Sequence, residues 1–427
     1  SCSLDSNSQC SLVESASNRL APGTKWNFSP TLSAAWVLSK ENFMEDATWI
    51  DFLKLRASAG IINVDNLPGD EVWAYYAQQY ATSGGGYAFD SGWNSEFGRT
   101  YLGMMATANP TNEKAYKYNV GVDAKFFGGL DVTLDHWKEH RTDIWLTSDG
   151  KYSAVLGMDT PYENVGVVDS WGVELGLDYN KKIGDFAFNM GGNFSMNKNE
   201  IKELYNGVQE YELPNTSTKW VVGHPYGEFY INRYAGVNPA NGDPLWYDKD
   251  GNITNEFRES DKVMVGKNYL APWQGGFGTT LTWKGISVNA QFSWVADRWM
   301  FNNDRFFEES NGLYTGYNQS KRLLYDRWKK PGDVTDIPRW GVTPQMDSRF
   351  LEDASFLRLK NLMISYTFPQ SWMKKTNFFT NARIYAQGQN LLTFTKFSGL
   401  DPEAFTNMYQ AQYPMSRQYS FGVELSF

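Results

Sequence analysis

The chain closes with Arg417-Gln418-Tyr419-Ser420-Phe421-Gly422-Val423-Glu424-Leu425-Ser426-Phe427. Odd positions carry Tyr, Phe, Val, Leu and Phe; even positions carry Gln, Ser, Gly, Glu and Ser. Unbroken alternation with period two specifies a β-strand with one apolar and one polar face. A sandwich in water accommodates such a strand. So does a transmembrane barrel, whose apolar face meets lipid and whose aromatics mark the two membrane interfaces. Three details favour the barrel. The strand runs to the last residue, that residue is Phe, and aromatics stand at both ends of the apolar row.

The same pattern recurs upstream. Trp26, Phe28, Leu32, Ala34, Trp36 and Leu38 alternate over 26–38, and Leu53, Leu55, Ala57, Ala59 and Ile61 share one face of 49–62. In 114–127, Tyr116, Tyr118, Val120, Val122, Ala124 and Phe126 oppose Lys117, Asn119, Asp123 and Lys125. Gly128-Gly129 then reads as a two-residue hairpin. Further strands are predicted at 130–146, 170–180, 186–196, 277–283, 286–294, 355–368, 380–395 and 419–427. Residues 63–113, 147–169, 201–273, 300–354 and 396–413 read mainly as loops. Eleven strands result, with two to three more inside the long loops.

Tight connections at 128–129, 183–184 and 284–285 alternate with loops of tens of residues. Counted back from the C-terminus, every tight turn falls on the same rim. Outer-membrane barrels have this asymmetry: short periplasmic turns and long outer loops. The polar faces are rich in Asn, Ser, Thr, Gly, Asp and Lys, which describes a wet or plugged lumen rather than a packed apolar interior.

Composition agrees. The chain has 427 residues, 16% aromatic, with 17 Trp, 25 Tyr and 27 Phe. Mean hydropathy is −0.51, and no run approaches the ~18 apolar residues of a membrane helix. Barrel strands dilute their hydrophobicity by half, so this leaves a barrel open. A net charge of −9 argues against nucleic-acid binding, which wants a basic face. The cysteines are Cys2 and Cys10, both in a polar leader, residues 1–16, that lacks strand alternation and has no apolar core of a signal peptide. Whether they pair is open, because spacing does not fix connectivity.

Several segments carry a more specific resemblance. They are Asn164-Val165-Gly166 with Trp171-Gly172-Val173-Glu174-Leu175; Gly236-Val237-Asn238-Pro239-Ala240-Asn241-Gly242-Asp243-Pro244; Arg327-Trp328-Lys329-Lys330-Pro331-Gly332-Asp333; Leu351-Glu352-Asp353-Ala354-Ser355-Phe356-Leu357-Arg358-Leu359-Lys360-Asn361; and Gly388-Gln389-Asn390-Leu391-Leu392-Thr393-Phe394-Thr395 followed by Gly399-Leu400-Asp401-Pro402-Glu403. In this order, over residues 17–427, they resemble the C-terminal part of the SusC/RagA family of TonB-linked outer-membrane nutrient transporters. The resemblance implies an all-β, antiparallel portion of a 22-stranded transmembrane barrel, a size associated with plugged transporters. It also implies a SusD-like surface lipoprotein as lid, uptake of oligosaccharides or peptides, and contact with TonB through an N-terminal plug region that does not occur in this sequence. The closing strand resembles the assembly signal of outer-membrane proteins, which assigns that role to Tyr419, Phe421, Val423, Leu425 and Phe427.

Other motifs read more plainly. His136-Trp137-Lys138-Glu139-His140 spells a zinc-protease pattern, H-x-x-E-H. On a strand its two His stand ~13 Å apart and cannot share one zinc, so polar lumen residues at the strand's outer end are expected. Asp248-Lys249-Asp250-Gly251-Asn252 begins like a calcium loop, but its ligand register fails, and Asp-Gly is an ordinary hairpin turn. No catalytic, cofactor or metal site is expected. Substrate contacts are expected among loop aromatics, whose flat faces accept sugar C–H groups: Trp73, Tyr75, Tyr76, Tyr87, Trp93, Trp246, Tyr247, Trp299 and Trp340, with Trp220 and Trp273 as further candidates. The rival readings are a soluble all-β carbohydrate-binding or glycoside hydrolase domain, and a siderophore receptor of the same architecture.

Overall fold

Short turns set the wall. Leu130 pairs with Phe126, so the first tight connection is the three residues Phe127-Gly128-Gly129 rather than two. Phe127 and Gly128 both sit at positive φ, the handedness that matches the twist of a hairpin. Lys284-Gly285 turns the same way, with both residues at positive φ.

The computed structural model describes residues 6–17, 20, 23–65, 80–83, 99–102, 107, 110–147, 155, 161–213, 217–314, 316–376 and 378–427. Twelve antiparallel strands form one sheet in sequence order. They are β1 (Ser6–Ala16), β2 (Trp26–Val37), β3 (Ile50–Val64), β4 (Glu113–Phe126), β5 (Leu130–Thr147), β6 (Tyr162–Ile183), β7 (Phe186–Glu203), β8 (Trp273–Trp283), β9 (Ile286–Ala296), β10 (Phe356–Thr367), β11 (Asn381–Thr395) and β12 (Gln418–Ser426). Eleven coincide with the strands predicted from alternation. The twelfth corrects the sequence reading. Residues 1–16 were expected to be irregular, yet Ser6–Ala16 pairs along its whole length with β2. A ladder needs only backbone donors and acceptors, so neighbour pairing orders a segment whose side chains show no clean pattern. Cys10 is exposed on this strand; Cys2 lies outside the described residues.

Register places all outward rows in line. Leu134, Leu175, Phe194, Gly275 and Trp294 follow one another across β5 to β9, and Ile364, Ala386 and Phe421 do so across β10 to β12. Aromatic clusters bound the apolar face. Near the short-turn rim, Trp49 stacks on Phe126 (5.7 Å), Tyr179 meets Phe188 (5.6 Å) and Tyr366 meets Phe368 (5.1 Å). Along β8, Trp283 at the short-turn rim and Trp273 stand ten residues apart, and at the upper level Trp273 and Trp294 flank Phe194 at 5.6 and 6.0 Å. Ten steps of a strand tilted at ~40° span roughly 25 Å along the membrane normal, the height of a barrel's apolar band. No described helix is long and apolar enough to cross a membrane, and the sheet supplies the crossing surface instead.

Among the described residues, the connections between β7 and β8, β9 and β10, and β11 and β12 fold on the other rim into a layer of their own. Phe229, Ile231, Phe301, Phe306, Phe350 and Leu351 form one small core in that layer; Met300, Ala354, Phe397 and Tyr409 form another. The family-like motifs interlock here. Trp328 donates through Nε1 to the Pro239 carbonyl at 3.1 Å, and a Cβ on Gly242 would lie 2.4 Å from the Trp328 ring. A bulge at Lys360 interrupts the pairing of β10 with β9. It brings the Lys360 ammonium and the Arg358 guanidinium onto Glu403 at 2.5 and 2.6 Å, while Arg358 also binds Asp401 at 2.6 Å.

Candidate functional site

The lumen face is divided by chemistry. On β3 to β5 its side chains are charged and paired with one another. Arg56 bridges Asp123 (3.1 Å) and Asp135 (2.7 Å), and Lys117 meets Glu139 at 3.1 Å. From β7 to β11 the same face is mainly amide and hydroxyl. Asn289 donates to Thr280 at 2.8 Å, Asn361 donates to Asn289 at 3.2 Å, and Gln387 donates to Asn361 at 2.7 Å. This chain of neutral groups runs around the wall from strand to strand.

A cavity of about 590 Å³ opens where the lumen face meets the loop layer. The wall contributes Trp137, Ser170, Asn193, Ser195, Asn197, Lys198, Asn199, Gln274 and Ser293; the loop layer contributes Tyr226, Tyr269, Arg298, Glu403 and Phe405. Trp137 pairs in register with Gly172. A Cβ at Gly172 would stand 2.8 Å from the indole, so glycine lets the ring lie close against β6. Burial raises the pKa of Tyr226 and of Tyr269, which keeps both phenols neutral. Lys198 is exposed at the margin, whereas the charges of Arg298 and Glu403 are committed to the fold. Arg298 donates to the carbonyls of Tyr269 and Pro402, each at 3.2 Å, and to that of Ala404. Glu403 is held by Arg358 and Lys360. Beside the Lys198 ammonium the cavity presents aromatic faces, amides and hydroxyls, the groups that hold a polar solute by hydrogen bonds and flat contact.

A second cavity, about 650 Å³, lies within the loop layer among Arg305, Glu309, Arg322, Asp336 and Glu352. Its charges are cross-linked. Arg305 bridges Glu309, Asp336 and Glu352, while Arg322 binds Glu309 and Asp336. Burial pushes the Asp336 carboxyl up, but Arg322 and Arg305 outweigh it and hold its pKa below the usual carboxylate range. This network ties the layer together.

The aromatics expected from sequence to contact substrate fare unevenly. Trp73, Tyr75, Tyr76, Tyr87 and Trp93 lie outside the described residues. Trp246 is only 5% exposed, and its Nε1 donates to Asp347 at 2.7 Å. It is a core residue of the loop layer, which corrects its assignment as a ligand contact. Tyr247 is half-buried beneath the Arg233 guanidinium at 5.4 Å. Lys267 covers the Trp299 ring at 4.0 Å and Arg327 the Trp340 ring at 5.2 Å. Trp220 packs partly buried on the cluster around Ile201 and Leu204, and Trp273 belongs to the outward row of β8. None of these lines the cavity, and Trp137, Tyr226 and Tyr269 do so in their place. Trp137 had a signal: it is a large aromatic in the otherwise polar register of its strand.

The two other motifs resolve simply. His136 and His140 pair with Val120 and Tyr116, which puts them on the outward row, not the lumen row expected. His140 Nδ1 lies 2.6 Å from Asp169, and Lys138 Nζ 3.3 Å from the same carboxylate. Among the described residues no cluster of three metal-ligating side chains occurs. Asp248 closes a hairpin turn by accepting from the Asn252 amide at 2.8 Å.

Comparison with known proteins gives the relationship. No protein-family model matches the chain. The TonB-dependent receptor SusC of Bacteroides thetaiotaomicron is 26% identical over 438 residues, covering 96% of this chain and 41% of that protein. The TonB-dependent receptor P3 of Formosa agariphila is 27% identical over 449 residues, covering 96% and 43%. The solved RagAB peptide transporter superposes with a TM-score of 0.86 at 30% identity, over 99% of this chain and 46% of that one. The chain thus spans less than half the length of each. Its two-faced wall, its rim asymmetry and these likenesses agree: the chain is a barrel portion of the SusC/RagA family of TonB-linked outer-membrane receptors.

Proposed function

We propose that this chain is the wall and outer-loop portion of a transporter that imports oligosaccharides or peptides across the outer membrane of a Gram-negative bacterium. A SusD-like lipoprotein acts as lid, and TonB drives release through a plug region supplied elsewhere in the protein. The wall extends from Ser6, within the leader, through the family-like residues 17–427. Strands β1 and β12 do not pair with each other among the described residues. Open edges are not tolerated in lipid, so further strands complete the wall. The role is transport rather than catalysis.

One observation carries the reading. A sheet with a lipid-compatible outer face carries, on its inner face and under a folded loop layer, a cavity lined mainly by aromatics, amides and hydroxyls. Exposed Tyr317, Leu324, Tyr325 and Trp340 on that layer supply apolar surface for a lid to cover. The five terminal residues Tyr419, Phe421, Val423, Leu425 and Phe427 supply the assembly signal. The test is uptake by cells carrying the full-length protein in the outer membrane, with and without the adjacent lipoprotein. Uptake that needs both supports the reading. A protein recovered folded from the soluble fraction contradicts it.

A further inference from the structure

Two connections on the short-turn rim are long, residues 38–49 and 368–380. The first carries Glu41, Glu45 and Asp46 beside Lys40; the second carries Lys374 and Lys375 and no carboxylate. Within the second lies a short helix, Gln370–Thr376. The Pro369 carbonyl accepts from the Trp372 and Met373 amides at 2.9 and 3.4 Å, and Gln370 Nε2 donates to the Thr380 carbonyl at 3.2 Å. Met373 is buried, while Trp372, Lys374 and Lys375 are exposed. Tyr366, Phe368 and Trp372 follow one another at ring distances of 5.1 and 6.0 Å, from the outward row of β10 to the helix. Aromatic rings with ammoniums beside them are the make-up of a segment at a membrane interface. Next to this segment the outward face of the wall is hollowed. About 840 Å³ opens around Ala386, between Ile286, Ile364, Tyr366, Ile384, Phe421 and Val423; Ser365, Tyr385 and Gly422 of the lumen row back its floor. Ala386 pairs with Ile364 on one side and Phe421 on the other, so a small side chain sits between two large ones. A strand continuing the wall beyond β12 would lie ~10 Å from Ala386, bordering the hollow at Phe421 and Val423.

Resting on the lipid-facing wall of the reading above, and on no transported substrate, we propose that this corner binds an anionic phospholipid of the periplasmic leaflet. One acyl chain fills the hollow at Ala386, and the headgroup phosphate lies at Lys374 and Lys375. The hollow is continuous with the apolar band, so acyl chains reach it, and a void left there would forfeit dispersion contacts on every side. The local charge favours an anion. Lys284 borders the same corner, because the Thr367 amide donates to the Gly285 carbonyl at 2.8 Å. The negative groups nearby are Asp185, 4.0 Å from Lys284; Glu424, 3.3 Å from Arg383 on the lumen row; and the Phe427 terminus, whose carbonyl oxygen accepts from the Thr380 hydroxyl at 3.4 Å. Among the described residues none of them pairs with Lys374 or Lys375. Basic residues at a membrane surface draw anionic lipid, and here an apolar hollow beside them holds one molecule in place.

The test is native mass spectrometry of the full-length protein, purified from the outer membrane in detergent and given phosphatidylglycerol or phosphatidylcholine with the same acyl chains. The parent should retain one phosphatidylglycerol, roughly tenfold in preference to phosphatidylcholine, as two ammoniums at an anionic headgroup imply. Lys374→Gln with Lys375→Gln should abolish that preference. Ala386→Phe, which fills the hollow and leaves both lysines, should lower retention of phosphatidylglycerol severalfold. Lys181→Gln with Lys182→Gln removes two exposed lysines from the turn between β6 and β7 and should change nothing. Equal retention of the two lipids by the parent, an equal loss in the Lys181 and Lys182 variant, or full retention by Ala386→Phe overturns the site while the membrane wall stands. So does a dimer that Ala386→Phe dissociates, since a second copy would then cover the hollow. A full-length protein that never enters the membrane overturns the site and the transport reading together.

Discussion

Removing the guanidinium of Arg358 should release one outer loop from the wall. The side chain of Arg358 is 4% exposed and that of Asp401 9%. Arg358 binds Asp401 and Glu403, each at 2.6 Å, and Thr393 at 2.9 Å. In Arg358→Met, Glu403 keeps Lys360, whereas Asp401 is left as a buried carboxylate without a cation. Breaking a buried pair from one side costs about 3–5 kcal/mol. The Arg298 clasp on the carbonyls of Pro402 and Ala404 remains, so the loss should stay local. At about 1.4 kcal/mol per decade, amides of residues 399–405, Pro402 aside, should exchange hydrogen roughly two to three and a half decades faster in the full-length protein in detergent. Amides at the centre of β10 should be unaffected. Arg358→Lys keeps the charge but not the planar fork, so it should fall between. Pairing Arg358→Met with Asp401→Leu should recover much of the protection. Loop exchange within threefold of the parent in Arg358→Met would refute the reasoning.

Three further outcomes follow from the same geometry. Val423→Arg should destabilise the full-length barrel by about 2–4 kcal/mol near the membrane midplane, and Ser420→Arg, on the lumen row, should cost far less; equal urea midpoints would contradict the facing. Asp347 is buried and its pKa is pushed up to about 6, burial outweighing the Trp246 hydrogen bond and Arg349. Protons thus bind more tightly to the folded state. Stability should fall as pH rises from about 4 to above 6, by about 3 kcal/mol at most, and flatten in Asp347→Asn; identical pH profiles would count against this. Phe427 is 74% exposed and touches the Phe378 and Phe379 rings at 5.1 and 5.5 Å. Its deletion should cost ~2 kcal/mol or less yet deplete the outer membrane disproportionately; a loss of abundance fully matched by lowered stability would reduce it to one more lipid-facing side chain.

What was legible in the sequence was what lipid and water impose. Where a strand crosses the apolar band, each side chain must suit one solvent or the other, and alternation located eleven strands. Above the band that demand lapses. Strand β6 was read from residue 170 but begins at Tyr162, because its first residues pair with β5 beneath the loop layer. Strand β1 shows no clean pattern and is fixed by β2 alone. The same limit governs the site. Trp246 reads as a free loop aromatic until Asp347, 101 residues away, closes over its indole. The cavity takes shape only when the registers of β5, β6 and β7 bring Trp137 beside Gly172 and Asn197. The Asn and Ser residues lining it were visible as a polar face, but nothing local marks them as the lining of a cavity.

The most direct measurement of the wall assignment is a nitroxide scan of residues 418–427 in the full-length protein in bilayers. Accessibility to oxygen, which partitions into lipid, is compared with accessibility to a water-soluble nickel complex at each position. Oxygen accessibility should peak at Tyr419, Phe421, Val423 and Leu425 and nickel accessibility at Ser420, Gly422 and Glu424, with period two. A scan without alternation, or with the two probes in the opposite phase, would contradict a lipid-facing wall.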